Sequence, residues 1–126
     1  MSSRLLLADD DDAIRTIASI SLERIGGWTV ISASSGQAAL EAAQHDGPFD
    51  AVLMDVMMPD LDGPTTLKRM RDGVLTLQVP IVFLTAKVGN AERERLLLLG
   101  ANGVIAKPFD PMTLPDELQQ ILDRTP

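Results

Sequence analysis

The sequence predicts an α/β fold: a five-stranded parallel sheet with helices on both faces, forming a three-layer sandwich. Short apolar runs recur along the chain, and runs without polar alternation are typical of strands buried on both faces. Between them lie segments with the periodicity of amphipathic helices. Because strand and helix alternate five times, parallel strands joined by right-handed helical crossovers are favoured.

Five segments are the candidate strands. Four of them are apolar throughout, and the second in chain order is more mixed. They cover residues 5–8, 28–33, 51–54, 81–84 and 104–106. Since all strands of a parallel sheet end at the same edge, the residues that follow these segments are expected to share one rim.

The first two helices each have a recognisable inward face and end. Spacings of i, i+3, i+4, i+7 and i+11 place one group of first-helix residues on a single face: Ile14, Ile17, Ala18, Ser21 and Ile25. Gly26 and Gly27 end this helix. Ser35 is a capping residue for the second helix, which is rich in alanine and ends near Gly47 and Pro48.

The other three helices are predicted in the same way. The third covers residues 63–71, with Leu67 and Met70 turned inward. Asn90 is predicted to cap the fourth helix, which ends before Gly100. In the fifth helix Pro115 suits the first position. The inward stripe of the fifth helix contains Leu114, Leu118, Ile121 and Leu122.

The fourth helix contains four consecutive leucines, residues 96–99. A single buried stripe of a helix cannot use four neighbouring positions. At least one of these leucines is therefore expected to be exposed, either to meet a partner or to cover a neighbouring loop.

Composition excludes several functional classes. The chain has 126 residues, which predicts one domain over residues 1–126. It has no cysteine, so disulfides, thiolate zinc sites and cysteine nucleophiles are excluded. The single histidine, His45, excludes a multi-histidine metal site and disfavours a Ser-His-Asp hydrolase.

Charge and hydropathy argue against nucleic acids and membranes as direct partners. The 11 basic and 18 acidic residues give a net charge of −7, opposite to that of a nucleic-acid-binding surface. No apolar run approaches the ~20 residues of a membrane-spanning helix, and no signal peptide is recognisable. A stand-alone, cytoplasmic protein is expected.

Polar residues follow four of the predicted strands. Asp9 and Asp10 follow the first, Asp55 the third, Thr85 the fourth and Lys107 the fifth. Three carboxylates that converge at one rim repel one another, and a hard divalent cation, best Mg²⁺, would satisfy them. An ammonium and a hydroxyl beside that ion would complete a site for a phosphoryl group.

Each of these residues also has a simpler explanation. The acidic run at 9–12 is by itself typical of a solvated surface, and it lacks the glycine and terminal glutamate of an EF-hand loop. Asp55 would fit a turn cap, Thr85 a turn and Lys107 a surface charge. Their joint placement at four strand ends favours the functional interpretation.

The sequence resembles the receiver domain of two-component response regulators over nearly all of its length. The resemblance is carried by Leu-Ala-Asp-Asp-Asp at 7–11, Asp-Val-Met-Met-Pro-Asp-Leu-Asp-Gly at 55–63, Leu-Thr-Ala at 84–86 and Lys-Pro-Phe at 107–109. Each motif alone is weak, but the four in this order are specific. The resemblance implies a flavodoxin-like sheet of strand order 2-1-3-4-5 and a phosphoacceptor domain of a two-component system or phosphorelay.

The resemblance also implies roles for the acidic residues. Asp55 would take a phosphoryl group from a phosphohistidine. Asp10 would bind Mg²⁺ directly, with Asp9 as its acidic partner. The backbone carbonyl of Met57 would be a further ligand of the ion.

Other residues receive implied roles as well. Thr85 would bond to a phosphoryl oxygen, and Lys107, followed by a cis bond to Pro108, would bridge to the acceptor carboxylate or to the phosphoryl group. Gly63 would supply backbone angles that other residues resist. Val104 stands where the family usually has an aromatic residue that responds to phosphorylation, so Thr85 is expected to pass the signal through residues 85–90 instead.

The implied partner is a histidine kinase or a histidine phosphotransfer protein. It would dock around Ile14, Arg15 and Ala18 of the first helix and around the loop at Pro108 and Phe109. A protein target would meet the fourth helix, fifth strand and fifth helix. The domain would not be an enzyme, although it would assist its own phosphorylation and dephosphorylation.

Two alternative functions remain open on the residues alone. A flavin- or nucleotide-binding module on the same fold needs a phosphate-binding loop where this chain has aspartates. A metal-dependent phosphatase with an aspartyl nucleophile needs a cap over its substrate, and the chain offers no inserted segment for one.

Overall fold

A computed structural model describes residues 3–73, 79–87 and 89–124, in which strands and helices alternate as predicted. The strands are β1 (Arg4–Ala8), β2 (Thr29–Ala33), β3 (Ala51–Asp55), β4 (Ile81–Thr85) and β5 (Gly103–Ala106). The helices are α1 (Asp12–Arg24), α2 (Gly36–His45), α3 (Gly63–Gly73), α4 (Asn90–Leu98) and α5 (Leu114–Arg124). The predicted strands are all confirmed, with bounds that differ by a residue at most.

The sheet is parallel and has the strand order β2-β1-β3-β4-β5, as the resemblance implied. β1 and β3 are neighbours in its middle, and their register pairs Ala8 with Met54. The residues that come next, Asp9 and Asp55, are therefore carried side by side to the carboxyl edge of the sheet.

Two apolar cores lie on opposite faces of the sheet, and the side chains of β1 alternate between them. Leu6 belongs to the core beneath α2, α3 and α4, whereas Leu5 and Leu7 belong to the core beneath α1 and α5. All three leucines are fully buried. Because both faces are covered, a polar side chain along this strand would lose its water without gaining a partner. In β1 the polar groups are therefore confined to the strand ends.

α1 buries part of the predicted face, on which Ile14 is half-buried. Its buried residues are Ala18, Ser21 and Leu22. Ile17 and Ile25, which the spacing placed inward, are 45% and 49% exposed. The isoleucines of this helix lie on more than one stripe, so periodicity alone did not determine the inward one. The buried hydroxyl of Ser21 donates to the carbonyl of Pro111, which fixes the rotation of the helix.

Three helix starts test the capping predictions. Ser35 caps α2 as predicted, and its hydroxyl accepts a hydrogen bond from the Ala38 N–H at 3.0 Å. Asn90 does not cap α4: it is the first helical residue, and Gly89 is the N-cap with a φ of 141°. That backbone angle favours glycine, so the helix begins one residue earlier than predicted. Pro115 is not first in α5, which begins at Leu114.

Gly63 is required for space and not for its backbone angles. Its φ lies outside the left-handed region, unlike those of Gly27, Gly89 and Gly100, so the role that the resemblance implied is wrong. A Cβ atom here would lie 2.6 Å from the carbonyl oxygen of Asp55 and 2.6 Å from the Phe83 ring. The glycine lets α3 begin directly against the end of β3.

We expect Gly63→Ala to lower the free energy of unfolding by roughly 2–3 kcal/mol, because the backbone of β3 cannot move away from the added methyl group. Gly73→Ala, at the other end of α3, is the control, since a Cβ there meets no described atom within 4 Å. Urea denaturation of the two variants measures the difference. A Gly63→Ala protein as stable as wild type would contradict the close contact.

Candidate functional site

The ends of four strands bring polar residues into one group at the carboxyl edge of the sheet. Asp55 and Thr85 are the last residues of β3 and β4, and Asp9 and Lys107 directly follow β1 and β5. Asp9, Asp55 and Thr85 are buried despite their polarity. The strands therefore fix these side chains against a rigid sheet, and the site does not depend on loop conformation alone.

Three carboxylates converge in this group. Asp9, Asp10 and Asp55 each place a carboxylate oxygen within 4.8 Å of the other two. Asp10 is exposed, whereas Asp9 is fully buried. The Met57 N–H donates to Asp55 Oδ1 at 3.3 Å, which keeps the start of the β3–α3 loop beside the acids. Clustered oxygen donors with one open side fit a hard divalent cation such as Mg²⁺.

Lys107 crosses the site to reach two of the acids. Its Nζ lies 2.8 Å from Asp9 Oδ2 and 3.3 Å from Asp55 Oδ1. Burial lowers the pKa of this ammonium, but the hydrogen bond and charge of Asp9, followed by those of Asp55, outweigh the burial and raise the pKa above its ordinary value. Lys107 is therefore a permanent cation between the two buried carboxylates.

Asp55 is the carboxylate that resists ionisation. Burial raises its pKa, and the negative charge of Asp9 raises it further. The charge of Lys107 and the bond from the Met57 N–H act in the opposite direction without cancelling these effects. A group that adds positive charge beside Asp55 would thus relieve a real electrostatic cost.

In the acidic run at 9–12, Asp9 and Asp10 belong to the carboxylate cluster, whereas Asp11 and Asp12 have structural roles. The carboxylate of Asp11 caps α1 by accepting bonds from the N–H groups of Ala13 and Ile14. Arg15 pairs with Asp12 and donates to the backbone carbonyl of Asp9 at 2.7 Å. The simpler explanation of the run therefore holds for Asp11 and Asp12. The contribution of Arg15 to the shape of the loop had no signal in the sequence.

Thr85 lies on the other side of Asp55 along the sheet edge. Its hydroxyl oxygen accepts a hydrogen bond from the Lys87 N–H at 3.0 Å. Val104 is half-buried and lines, with Thr85 and Arg93, a cavity of about 220 Å³. The peptide bond between Lys107 and Pro108 is cis, as the resemblance implied. Of the residues 85–90 expected to pass the signal, Val88 lies outside the described part of the chain.

Comparison with known proteins decides the family. A family model described as the response regulator receiver domain matches residues 5–119. The chain belongs to this family. The sequence is 38% identical over 125 residues to the alkaline phosphatase synthesis transcriptional regulatory protein PhoP of Bacillus subtilis, and this match covers 99% of the chain and 50% of that protein. It is 34% identical over 125 residues to the transcriptional regulatory protein SrrA of Staphylococcus aureus, with the same coverage of 99% and 50%.

Solved structures give the same result for the fold. The receiver domain is similar to the chemotaxis response regulator CheY4 of Vibrio cholerae, with a TM-score of 0.88, 32% identity and coverage of 96% and 99% of the two chains. It is also similar to the receiver domain of the Francisella response regulator 1452, with a TM-score of 0.85, 27% identity and coverage of 99% and 100%. The predicted flavodoxin-like sandwich is confirmed.

Family membership establishes the general function. The chain is a phosphoacceptor signalling domain of the two-component type, and the two alternative functions gain no support. It spans about half the length of the curated relatives it matches. None of the helices among residues 3–73, 79–87 and 89–124 has the length and hydropathy to cross a bilayer.

The receiver domain exposes an apolar patch along α1 and the β5–α5 loop, and two of its residues, Ile17 and Ile25, were expected to face inward. Ala18, expected at a docking surface, is fully buried, and Ile14 and Arg15 are half-buried. The exposed apolar residues on this side are Ile17, Ile20, Ile25 and Met112. They line an apolar cavity of about 280 Å³ between α1 and the β5–α5 loop. We call these four residues the α1 patch.

A second exposed apolar group lies on α4. Leu96 is fully buried, whereas Leu98 is 88% exposed, and Leu97 and Leu99 are exposed to a lesser degree. The expectation that at least one of the four leucines is exposed is therefore confirmed. The receiver domain thus presents apolar side chains on two different helices, α1 and α4.

In metal-free receiver domain, Asp55→Asn is expected to raise Tm at neutral pH, by about 3 °C for each kcal/mol gained. The folded-state pKa of Asp55 is raised, so its ionisation destabilises the fold at any pH above that pKa. The gain should shrink as the pH falls below the folded pKa and vanish at the lower, unfolded-state pKa, because Asp55 is then protonated in both states and its titration no longer opposes folding.

Thermal melts in EDTA between neutral pH and about pH 4 measure this difference. Asp72→Asn is the control, because Asp72 is exposed and pairs only with Lys68 among the described ion pairs. If Asp55→Asn melts no higher than wild type at neutral pH while the control is unchanged, the carboxylates do not destabilise the apo fold.

Proposed function

We propose that Asp55 accepts a phosphoryl group from the phosphohistidine of a histidine kinase or a histidine phosphotransfer protein. Asp9, Asp10 and Asp55, with the backbone carbonyl of Met57, would hold the Mg²⁺ that this transfer needs. The observation that carries the proposal is the convergence of three carboxylate oxygens within 4.8 Å beside a lysine that bonds two of the acids.

The charge of the site explains the need for the ion. Asp9, Asp10, Asp55 and Lys107 together carry a formal net charge of minus two, which would repel an incoming phosphoryl dianion. Mg²⁺ supplies neutralisation of this charge and of the equatorial phosphoryl oxygens. The fit of the oxygen donors to a hard cation supports this assignment.

The phosphoryl transfer requires little covalent chemistry from the protein beyond the attack by Asp55. A carboxylate oxygen of Asp55 forms a bond to phosphorus while the phosphorus–nitrogen bond of the phosphohistidine breaks, and the imidazole leaves with the electron pair. Lys107, which now bonds Asp9 and Asp55, would extend to a phosphoryl oxygen. The Thr85 hydroxyl accepts from the Lys87 N–H and would donate its own hydrogen to another phosphoryl oxygen.

The domain acts as a signalling module, and its catalysis would be limited to its own modification. The residues that position the phosphoryl group on Asp55 would also position a water molecule for hydrolysis of the acyl phosphate. A cytoplasmic location, in reach of a kinase, agrees with this role.

Acetyl phosphate with Mg²⁺ is expected to phosphorylate Asp55 without a kinase, because positioning and charge neutralisation come from the receiver domain. Intact-mass analysis should show one added phosphoryl group, and EDTA should abolish it. Asp55→Asn should not be modified. Asp10→Asn should react at a rate reduced by a factor of roughly 10 or more. Modification of Asp55→Asn at another residue would sink the assignment.

The α1 patch is the proposed docking surface for the phosphohistidine partner. It is apolar and adjoins the β5–α5 loop, which begins at Lys107 of the site. Ser21 holds that loop against α1 through its bond to the carbonyl of Pro111. The exposed leucines of α4 are left for a protein target, so input and output would use different helices.

Ile20→Lys is expected to slow phosphotransfer from a phosphohistidine partner about 10-fold by burying a charge at the contact. It should leave phosphorylation by acetyl phosphate unchanged, because a small donor needs no docking surface. Leu98→Lys is the matched control on α4 and should leave both rates unchanged. If Leu98→Lys slows phosphotransfer and Ile20→Lys does not, the partner docks on α4 and the proposed docking surface on α1 is wrong.

A further inference from the structure

An aspartate in the phosphoacceptor loop bonds to the start of a distant helix. Asp60 lies in the loop between β3 and α3, downstream of Asp55. Its Oδ1 accepts a hydrogen bond from the Gly36 N–H at 3.1 Å, and its Oδ2 accepts one from the Gln37 N–H at 2.8 Å. One exposed side chain therefore spans two elements that are 24 residues apart in sequence.

These bonds are additional to the cap that α2 already has. Ser35 supplies the N-cap and satisfies the Ala38 N–H, and the first intrahelical bond runs from the Ala39 N–H to the Ser35 carbonyl. The first N–H groups of a helix have no partner within it. Here Asp60 takes the two that Ser35 does not reach. Its carboxylate therefore bridges the loop to α2 and completes the hydrogen bonding of that helix end.

A second observation shows that the loop and the helix are fitted to each other. A Cβ on Gly36 would lie 2.6 Å from Thr66 Oγ1 of α3 and 2.7 Å from both the Cβ and the carbonyl oxygen of Leu61. Gly36 is itself buried. The backbone of α2 thus approaches the loop and α3 more closely than any other residue type would allow.

The bond partners of the loop differ between its ends and its middle. At its ends, the Val56 N–H donates to the Leu84 carbonyl at 3.0 Å, and the Gly63 N–H donates back to the Val56 carbonyl at 2.8 Å. In the middle, Met58 is buried and Asp60 bonds to α2. Met57, between the anchored end and these middle residues, is 75% exposed. Its N–H donates to Asp55 Oδ1, so the position of Met57 depends on that bond and on the residues that flank it.

We propose that Asp60 is a positioning residue that ties the phosphoacceptor loop to the N-terminus of α2 and so holds the Met57 carbonyl toward the Mg²⁺ site. The inference rests on the proposed function, in which that carbonyl binds the ion. Coupling between two sites is reciprocal. If the tie to α2 strengthens Mg²⁺ binding, then Mg²⁺ must strengthen the tie and protect the Gly36 and Gln37 amides from hydrogen exchange.

Asp60→Ala and Asp60→Asn separate the tie from the charge. Both variants remove the same negative charge near the site, but asparagine keeps a carbonyl oxygen that can accept one of the two bonds. Mg²⁺ affinity measured by titration calorimetry should fall roughly 5-fold or more in Asp60→Ala and clearly less in Asp60→Asn. In wild type, Mg²⁺ should slow amide exchange at Gly36 and Gln37, and in Asp60→Ala it should not.

Ser35→Ala is the matched control at the same helix end. It removes the cap of α2 without touching the loop, so it should lower Tm and leave the Mg²⁺ affinity at the wild-type value. If the two Asp60 variants lose Mg²⁺ affinity equally, the negative charge of Asp60 explains the loss and the proposed positioning role is wrong. Unchanged affinity in Asp60→Ala would overturn it as well. Absence of Mg²⁺ binding by wild type would instead overturn the proposed metal site, and the inference with it.

Discussion

The contact of Lys107 with Asp9 and Asp55 is the interaction on which the organisation of this domain depends. The bond between Lys107 and Asp9 joins residues 98 positions apart, directly after β5 and β1, across the edge of the sheet. Two buried carboxylates side by side would repel each other strongly, by roughly 3 kcal/mol at 5 Å and an effective dielectric constant of about 20. The lysine offsets part of that cost, but the pKa of Asp55 stays raised, by burial first and by the negative charge of Asp9 second. The fold therefore keeps unsatisfied negative charge at one defined place.

This charge is a consequence of how the sheet is buried. Two apolar cores cover its faces, so the strands carry almost only apolar side chains between their ends. Parallel strands bring all their carboxyl ends to one edge, and the close start of α3 at Gly63 holds the end of β3 in place. Stability and function are thus built from the same elements. The cores stabilise the folded state, and part of this stabilisation offsets the repulsion and burial of the carboxylates at the sheet edge.

Much of this arrangement could be predicted from the sequence. The strands and the rim residues Asp9, Asp55, Thr85 and Lys107 follow from short apolar runs and from the geometry of parallel sheets, which leave few alternatives. The inward face of α1 was predicted in part: Ala18 and Ser21 are buried as expected, but isoleucines on adjoining stripes satisfy the same periodicity, and Ile17 and Ile25 are exposed. The α4 cap was missed because a glycine φ cannot be known from neighbouring residues. Asp60 gave no signal, since its partners are distant in sequence.

The positions of the site residues also determine which elements would respond to a change of charge at Asp55. Phosphorylation replaces one negative charge with about two. Lys107 and Thr85, the groups that would turn toward the added charge, belong to the side of the sheet that carries β4, β5 and the exposed leucines of α4. On the opposite side of Asp55, the loop is bonded to α2 through Asp60 and would resist displacement. Because Asp60 ties the loop to α2, the asymmetry of contacts around Asp55 would direct the effect of the added charge toward β4, β5 and α4.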